Sequence, residues 1–139
     1  MSDFSTSGQA PQGRSLADRF RQALEATFAT DTDLLRRGAL IHTCCLIEIG
    51  TEQRLLTIRD GRPTIAERIP LLASWEFAIR AGDEAWMALW QPLPKPGWHD
   101  LFALTKRGAM RIEGSLQPFM ANLQYFKDLV TLPREGGRR

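Results

Sequence analysis

From Ser15 the apolar positions recur at helical spacing, with Leu16, Phe20, Ala23, Leu24 and Thr27 on one side of a helix turning about 100° per residue. Ser15 and Asp18 ahead of them form an acidic variant of the capping box. Asp31 to Arg37 adds a helical turn closed by Gly38. At Leu40 the period drops to two. In LIHTCCLIEIG, residues 40–50, Ile41, Thr43, Cys45, Ile47 and Ile49 share one strand face, and Leu40, His42, Cys44, Leu46 and Glu48 share the other. Residues 53–59, QRLLTIR, predict a second strand. Asp60-Gly61 is a hairpin signal, and RPTIAERI returns as a third strand that Pro63 pushes to an edge. Residues 73–81, ASWEFAIRA, alternate: Ala73, Trp75, Phe77 and Ile79 face one way, Ser74, Glu76 and Arg80 the other.

The second half predicts helices around one more strand. Gly82-Asp83 opens GDEAWMALW, whose early carboxylates Asp83 and Glu84 suit the positive end of a helix. Trp86 and Trp90 stand four apart with Leu89 beside them. QPLPKPG cannot continue the helix and becomes a loop. HDLFALTKR, residues 99–107, predicts a short helix and GAMRIEG a last strand. The closing segment then predicts one helix from Ser115, its N-cap, with Leu116, Phe119, Met120, Leu123, Phe126 and Val130 along one stripe. Pro118, Tyr125, Leu129 and Leu132 form a second patch roughly opposite. The element order predicts an α+β layer, helices on one face of a mostly antiparallel sheet.

Composition narrows the class. Of 139 residues 43% are apolar and 24% charged, as in an ordinary globular domain. The expected division is a disordered Ser/Gly/Gln/Pro-rich tail over residues 1–13, a single domain over 14–133 and a polar tail over 134–139. Lys and Arg number 18 against 16 Asp and Glu, so charge gives no case for nucleic-acid binding. Cys44 and Cys45 are adjacent within a strand, point to opposite faces, and read as free thiols in a reducing compartment. The N-terminus lacks the pattern of a secretory leader, and no apolar run approaches the roughly 18 residues of a membrane span. A cytoplasmic protein without stable membrane insertion is expected.

Catalytic and metal chemistry finds little support. Two histidines, His42 and His99, and no spaced cysteine pairs leave too few ligands for a zinc site, so no metal is expected. Phosphate-loop and dinucleotide-binding glycine patterns are absent, and no cofactor is expected. Acid and base candidates are His99, Asp100, Glu76 and Glu48, with no third group specified to orient the His99-Asp100 pair. Glu76 and Arg80 are placed to pair on a solvated strand face.

What remains is apolar bulk. Four Trp, seven Phe and four Met concentrate after residue 73, and each is core material or part of a surface for an apolar guest. The two apolar sides of the closing helix suggest a sheet on one and a guest or partner chain on the other.

Residues 40–132 resemble the sterol carrier protein 2 (SCP-2) family. KRGAMRIEGSLQPFMANLQYFKDLV is similar to that family's glycine, short basic-apolar strand, second glycine and amphipathic last helix, with Gly108 and Gly114 in the matching places. FAIRAGDEAWMAL resembles its strand followed by an acidic-capped helix. The chain departs from the family at Ser115, where Asp often stands, in the enlarged loop QPLPKPGWHD, and in lacking a peroxisomal signal in its REGGRR ending. It resembles a divergent, free-standing member of bacterial type.

The resemblance implies a five-stranded, mostly antiparallel sheet with helices on one face enclosing a hydrophobic tunnel for a sterol, fatty acid, acyl-CoA or similar lipid. Carried over by position, Trp86, Leu89 and Trp90 would stand beside the tunnel and Phe119, Met120, Leu123 and Phe126 on the closing helix. Phe77, Ile79, Phe102 and Met110 would contribute from sheet and loop. A non-catalytic carrier is expected, with a channel reaching Trp86 and Phe126. Two alternatives stay open: a homodimeric or enzyme-docking interaction module with a filled core, and a small enzyme for a hydrophobic substrate using His99, Asp100 or Glu76.

Overall fold

The computed structural model describes residues 15–134. The tail expected over residues 1–13 lies outside them. Of the tail expected over 134–139 only Arg134 is described, and its guanidinium donates to the carbonyls of Leu89 and His99 at 2.8 and 2.9 Å. Helix α1 runs over Leu16–Thr30 and α2 over Thr32–Arg37. Ser15 Oγ accepts from the Asp18 N–H at 3.1 Å, and Asp31 Oδ1 from the Leu34 N–H at 3.0 Å. Each satisfies an amide that its helix leaves unpaired. The deepest side chains of α1 are Ala17, Phe20 and Leu24, so the buried stripe is turned slightly from the one expected through Leu16.

Strands β1 (Thr43–Ile49), β2 (Glu52–Arg59), β3 (Arg62–Ala66), β4 (Phe77–Ala81) and β5 (Met110–Gly114) form one sheet in the order β3-β2-β1-β4-β5. All neighbours are antiparallel except β1 and β4, which run parallel. Asp60 and Gly61 make the β2–β3 turn with φ of 52° and 76°, the two positive values of a type I′ turn. Pro63 sits on edge strand β3, where its missing N–H costs least.

Alternation divides the sheet into two faces. Cys45, Ile47, Ile49, Leu56, Ile58, Phe77, Ile79, Ala81 and Met110 join the buried cluster formed with the helices. On the opposite face Leu46 and Ala78 are also buried, between partners Leu55 and Glu113, but outside that cluster. There Arg80 does not pair with Glu76, as its spacing suggested. It reaches sideways to Glu48 at 2.8 Å and Glu113 at 2.9 Å on the flanking strands, because cross-strand neighbours lie closer than residues four apart along a strand. Glu76 instead accepts a hydrogen bond from Thr43 Oγ1.

Two sequence expectations fail at bends. The alternation over 73–81 predicts a strand from Ala73, but β4 starts at Phe77 and Glu76 is a bend. Upstream of it Trp75 is half-buried beside His42, Cys44 and Thr57 rather than in the core. The single closing helix is two, α5 (Gln117–Ala121) and α6 (Leu123–Val130), broken at Asn122 with φ −127° and ψ 39°. Ser115 caps neither. Its N–H donates to the Glu76 carbonyl at 2.7 Å, extending the β4–β5 ladder, and Leu116 occupies the cap position.

Helix α3 (Asp83–Leu89) anchors the interior through its indoles. Trp86 Nε1 donates to the Glu48 carbonyl at 3.0 Å, and Trp90 Nε1 to the Val130 carbonyl at 2.7 Å. Phe20 stacks on Trp90 at 6.5 Å. One side chain thus ties α1, α3 and α6 together. Tyr125 of α6 is buried, and its hydroxyl has no hydrogen-bond partner among the described residues. Burial pushes its phenol up to about 12.

A buried, unmet hydroxyl costs about 1–3 kcal/mol. Tyr125→Phe is therefore expected to raise stability in chemical denaturation by about 1 kcal/mol at neutral pH. A phenol whose folded value is raised contributes stability that is complete below the unfolded value and lost as pH climbs through the folded one. The wild type should accordingly lose stability relative to Tyr125→Phe between about pH 10 and about pH 12. A variant less stable than wild type at pH 7 contradicts this.

Candidate functional site

Helix α4 (Leu101–Lys106) is capped by Asp100, whose Oδ1 accepts from the Ala103 N–H at 2.9 Å. Leu101 and Leu104 point into the core, which turns Phe102 and Thr105 towards β5. At the end of β5, Gly114 begins the turn into α5 at φ +105°, and a Cβ there would lie 2.6 Å from the Glu76 carbonyl oxygen. Only glycine lets the chain approach β4 this closely while adopting a left-handed backbone. The turn leads into α5, which lines one cleft together with α4 and β5.

A cleft of about 450 Å³ results. Its apolar wall is Phe102, Met110, Ile112, Leu116, Phe119 and Met120, and its rim Thr105, Arg111 and Glu113. Leu116 and Met120 are 42% and 50% exposed, unusual for large apolar side chains standing together. Arg111 pairs with Glu113 at 3.3 Å, which also takes Arg80. Glu48, at the far end of this ladder, is held below its ordinary value by hydrogen bonds from Gln53 and Arg80. The rim is thus charge-balanced. A second hollow, about 510 Å³, lies between α3 and the proline loop, and mixes Glu84, Gln91 and Lys95 with Ala88, Leu93 and Trp98. Its walls are more polar, which favours the first cleft for an apolar guest.

The eleven residues expected to contact a ligand fall into two groups. Phe102, Met110, Phe119 and Met120 meet at the cleft. Phe77, Ile79, Trp86, Leu89, Trp90 and Phe126 lie in the packed interior, and Leu123 is partly buried against it. Phe77, Ile79, Trp86, Leu89 and Phe126 are 0% exposed, so no space that admits a water molecule touches them. Phe77 packs on Phe126 at 5.3 Å and on Phe119 at 5.6 Å; Trp86 packs on Trp90 at 5.6 Å. The channel expected to reach Trp86 and Phe126 is closed at both. Ile112 and Thr105 line the cleft without having been singled out in the sequence, where Ile112 is one apolar residue of a short strand and Thr105 a polar residue on a helix.

The acid and base candidates do not converge. His99 Nε2 is 3.8 Å from Asp100 Oδ2, but Asp100 already caps α4 and meets Lys127 at 3.4 Å. Partial burial pushes its carboxyl up, and the Ala103 N–H with Lys127 outweighs this and holds it below its ordinary value. Neither His99 nor Asp100 lines the cleft. Glu76 and His42 border a shallow groove with Cys44 and Trp75. Burial pushes the Cys45 thiol up, so it stays neutral. Among the described residues no three His, Cys, Asp or Glu are grouped to hold a metal ion, and no helix is long and apolar enough to cross a membrane.

No protein-family model and no curated protein matches this sequence. Solved structures do. A crystal structure of sterol carrier protein 2 is similar with a TM-score of 0.60 and 15% identity over 84% of this chain and 94% of that one. Sterol carrier protein domain 2 of Helicoverpa armigera gives 0.57 and 11%, over 97% and 98%. The ubiquinone synthesis protein UbiJ-SCP2 gives 0.56 and 14%, over 88% and 96%. At these identities the likeness is one of architecture: the chain has the SCP-2 fold, a five-stranded mixed sheet with helices.

Since the turn at Gly114 shapes the cleft, Gly114→Ala should cost about 1–3 kcal/mol through backbone strain, besides the clash with Glu76. Thermal unfolding by circular dichroism measures it. A variant as stable as the wild type would show that α5 can be reached by another route.

Proposed function

We propose that this protein binds a single apolar small molecule, of the sterol, fatty acid, acyl-CoA or similar lipid class, in the cleft between α4, β5 and α5, and carries it through the cytoplasm without changing it. The observation that carries the reading is the cleft's wall: large apolar side chains from three elements converge on one space, with Phe102, Leu116 and Met120 partly exposed to it. Each CH₂ group moved from water onto such a wall gains roughly 0.8 kcal/mol before ordering costs, so a chain of several such groups binds without any charged contact. On the rim Arg111 and Glu113 pair with opposite charge at 3.3 Å, which supports an apolar rather than a strongly ionic guest. Similarity to a sterol carrier protein and to a ubiquinone synthesis protein, both named for apolar molecules, agrees with this. The scattered acid and base candidates supply no catalytic constellation beside the cleft, which supports carriage over turnover.

A second reading has its own observation. The interior is closed at Trp86, Phe77 and Phe126, while Leu40, Leu71, Leu72 and Leu93 are more than nine-tenths exposed. A filled core with apolar surface residues suits an interaction module that forms a homodimer or docks on an enzyme.

Titration with a fluorescent fatty acid separates the two. Saturable uptake of about one probe per chain is expected, and Met120→Asp or Leu116→Asp should weaken it at least tenfold, since a carboxylate placed against the guest must be desolvated. Both positions are exposed, so folding should be unchanged. No uptake together with a tight dimer in sedimentation would replace the carrier reading with the second one.

A further inference from the structure

We propose that Phe119 is the residue that sets how deeply an apolar chain enters this protein: its ring closes the inner end of the cleft, and α5 swings to withdraw it. The inference rests on the cleft as the binding site and adds what lies behind it.

Phe119 is 1% exposed, yet both its helical neighbours on the cleft wall, Leu116 and Met120, are open to solvent. It is the only residue of α5 buried in the core. Inside, its ring stands 5.6 Å from Phe77 and 5.8 Å from Phe126, and those two rings meet at 5.3 Å. The three rings form a triangle with one corner on the cleft and two in the core. Removing the first corner alone would connect the cleft with Phe77 of β4 and Phe126 of α6.

The element that carries Phe119 is short. Helix α5 has five residues and no side-chain cap at its N-terminus. Gly114, with φ +105°, precedes it, and the helix break at Asn122 follows. Helices this short gain little stability from their own hydrogen bonds, and hinges are commonly a few element-terminal residues that absorb a backbone change. The Ser115 N–H bonded to Glu76 at 2.7 Å and the Phe126 N–H bonded to the Asn122 carbonyl at 3.1 Å mark the two fixed ends.

Energetics favour this corner over the others. Phe77 is in the sheet and Phe126 in the middle of α6, so displacing either would disrupt an element. When an apolar tail takes the place of the Phe119 ring, the apolar surface of Phe77 and Phe126 stays covered, and the hydrophobic contribution of that contact is largely exchanged rather than lost. A short chain fits the open cleft; a long one needs the ring's place. Side-chain size at position 119 then selects by chain length.

The test compares palmitate and octanoate, each carrying the same fluorophore, on wild type, Phe119→Leu and Phe119→Trp, with Phe119→Met as the variant of nearest volume should Leu fail to fold by circular dichroism. The palmitate-to-octanoate ratio of association rates is expected to rise about tenfold in Phe119→Leu (or Phe119→Met, in the same direction) and to fall several-fold in Phe119→Trp. An unchanged ratio in the folded variants would overturn the gate and leave the cleft standing. Absence of any uptake by the wild type would remove the cleft reading, and the gate with it.

Discussion

The contact on which the rest depends is the triangle of Phe77, Phe119 and Phe126. Each ring comes from a different element, and the centroids lie 5.3 to 5.8 Å apart, within the range in which aromatic pairs gain about 0.5–1.5 kcal/mol beyond the area they bury. The triangle holds the two closing helices against the strand that runs parallel to β1. It also decides where room exists. Because Phe119 completes the seal from a short, hinged helix, the interior behind it is dry and closed, and the unused apolar surface of that helix is turned outward into a cleft.

Two other arrangements leave that contact free to be apolar. The indole N–H groups of Trp86 and Trp90 are met by carbonyls on β1 and at the end of α6, while the Tyr125 hydroxyl is left unmet. Charge beside the cleft is paired: Arg111 meets Glu113 on the rim, and Arg80 is shared by Glu48 and Glu113. An unpaired charge against the triangle would cost far more than the triangle contributes. In the binding mode we propose, a guest meets paired charge first and hydrocarbon next.

Much of this was legible in the chain. The cap at Ser15, the helix opening at Gly82-Asp83, the fall in period at residue 40, the Asp60-Gly61 turn and the edge proline are local signals, and each acts within a few residues of itself. The SCP-2 resemblance rested on similarly local marks around Gly108 and Gly114. What escaped reading is tertiary. The break at Asn122 lies inside a run whose apolar stripe fits one continuous helix, and it arises where the chain bends to bring Phe119 onto Phe77. The bend at Glu76 is imposed by its bonds to Thr43, Cys44 and Ser115, all distant in sequence. The stripe could say that Phe119, Met120 and Phe126 are neighbours. Which of them faces core and which faces open space depends on a ring 42 or more residues away on β4 for the first, and on nothing but solvent for the second.

The most direct measurement is nuclear magnetic resonance of the deuterated protein with methyl-protonated methionines and leucines, mixed with a protonated fatty acid. Met110 and Met120 line the cleft and Met87 lies on α3, half-exposed, so the methionines serve as target and control in one sample. Intermolecular Overhauser effects from the acyl chain to Met110, Met120 and Leu116, with none to Met87, are what this account predicts. Contacts to Met87 and Leu93 instead, or no contacts at all at saturating fatty acid, would contradict it.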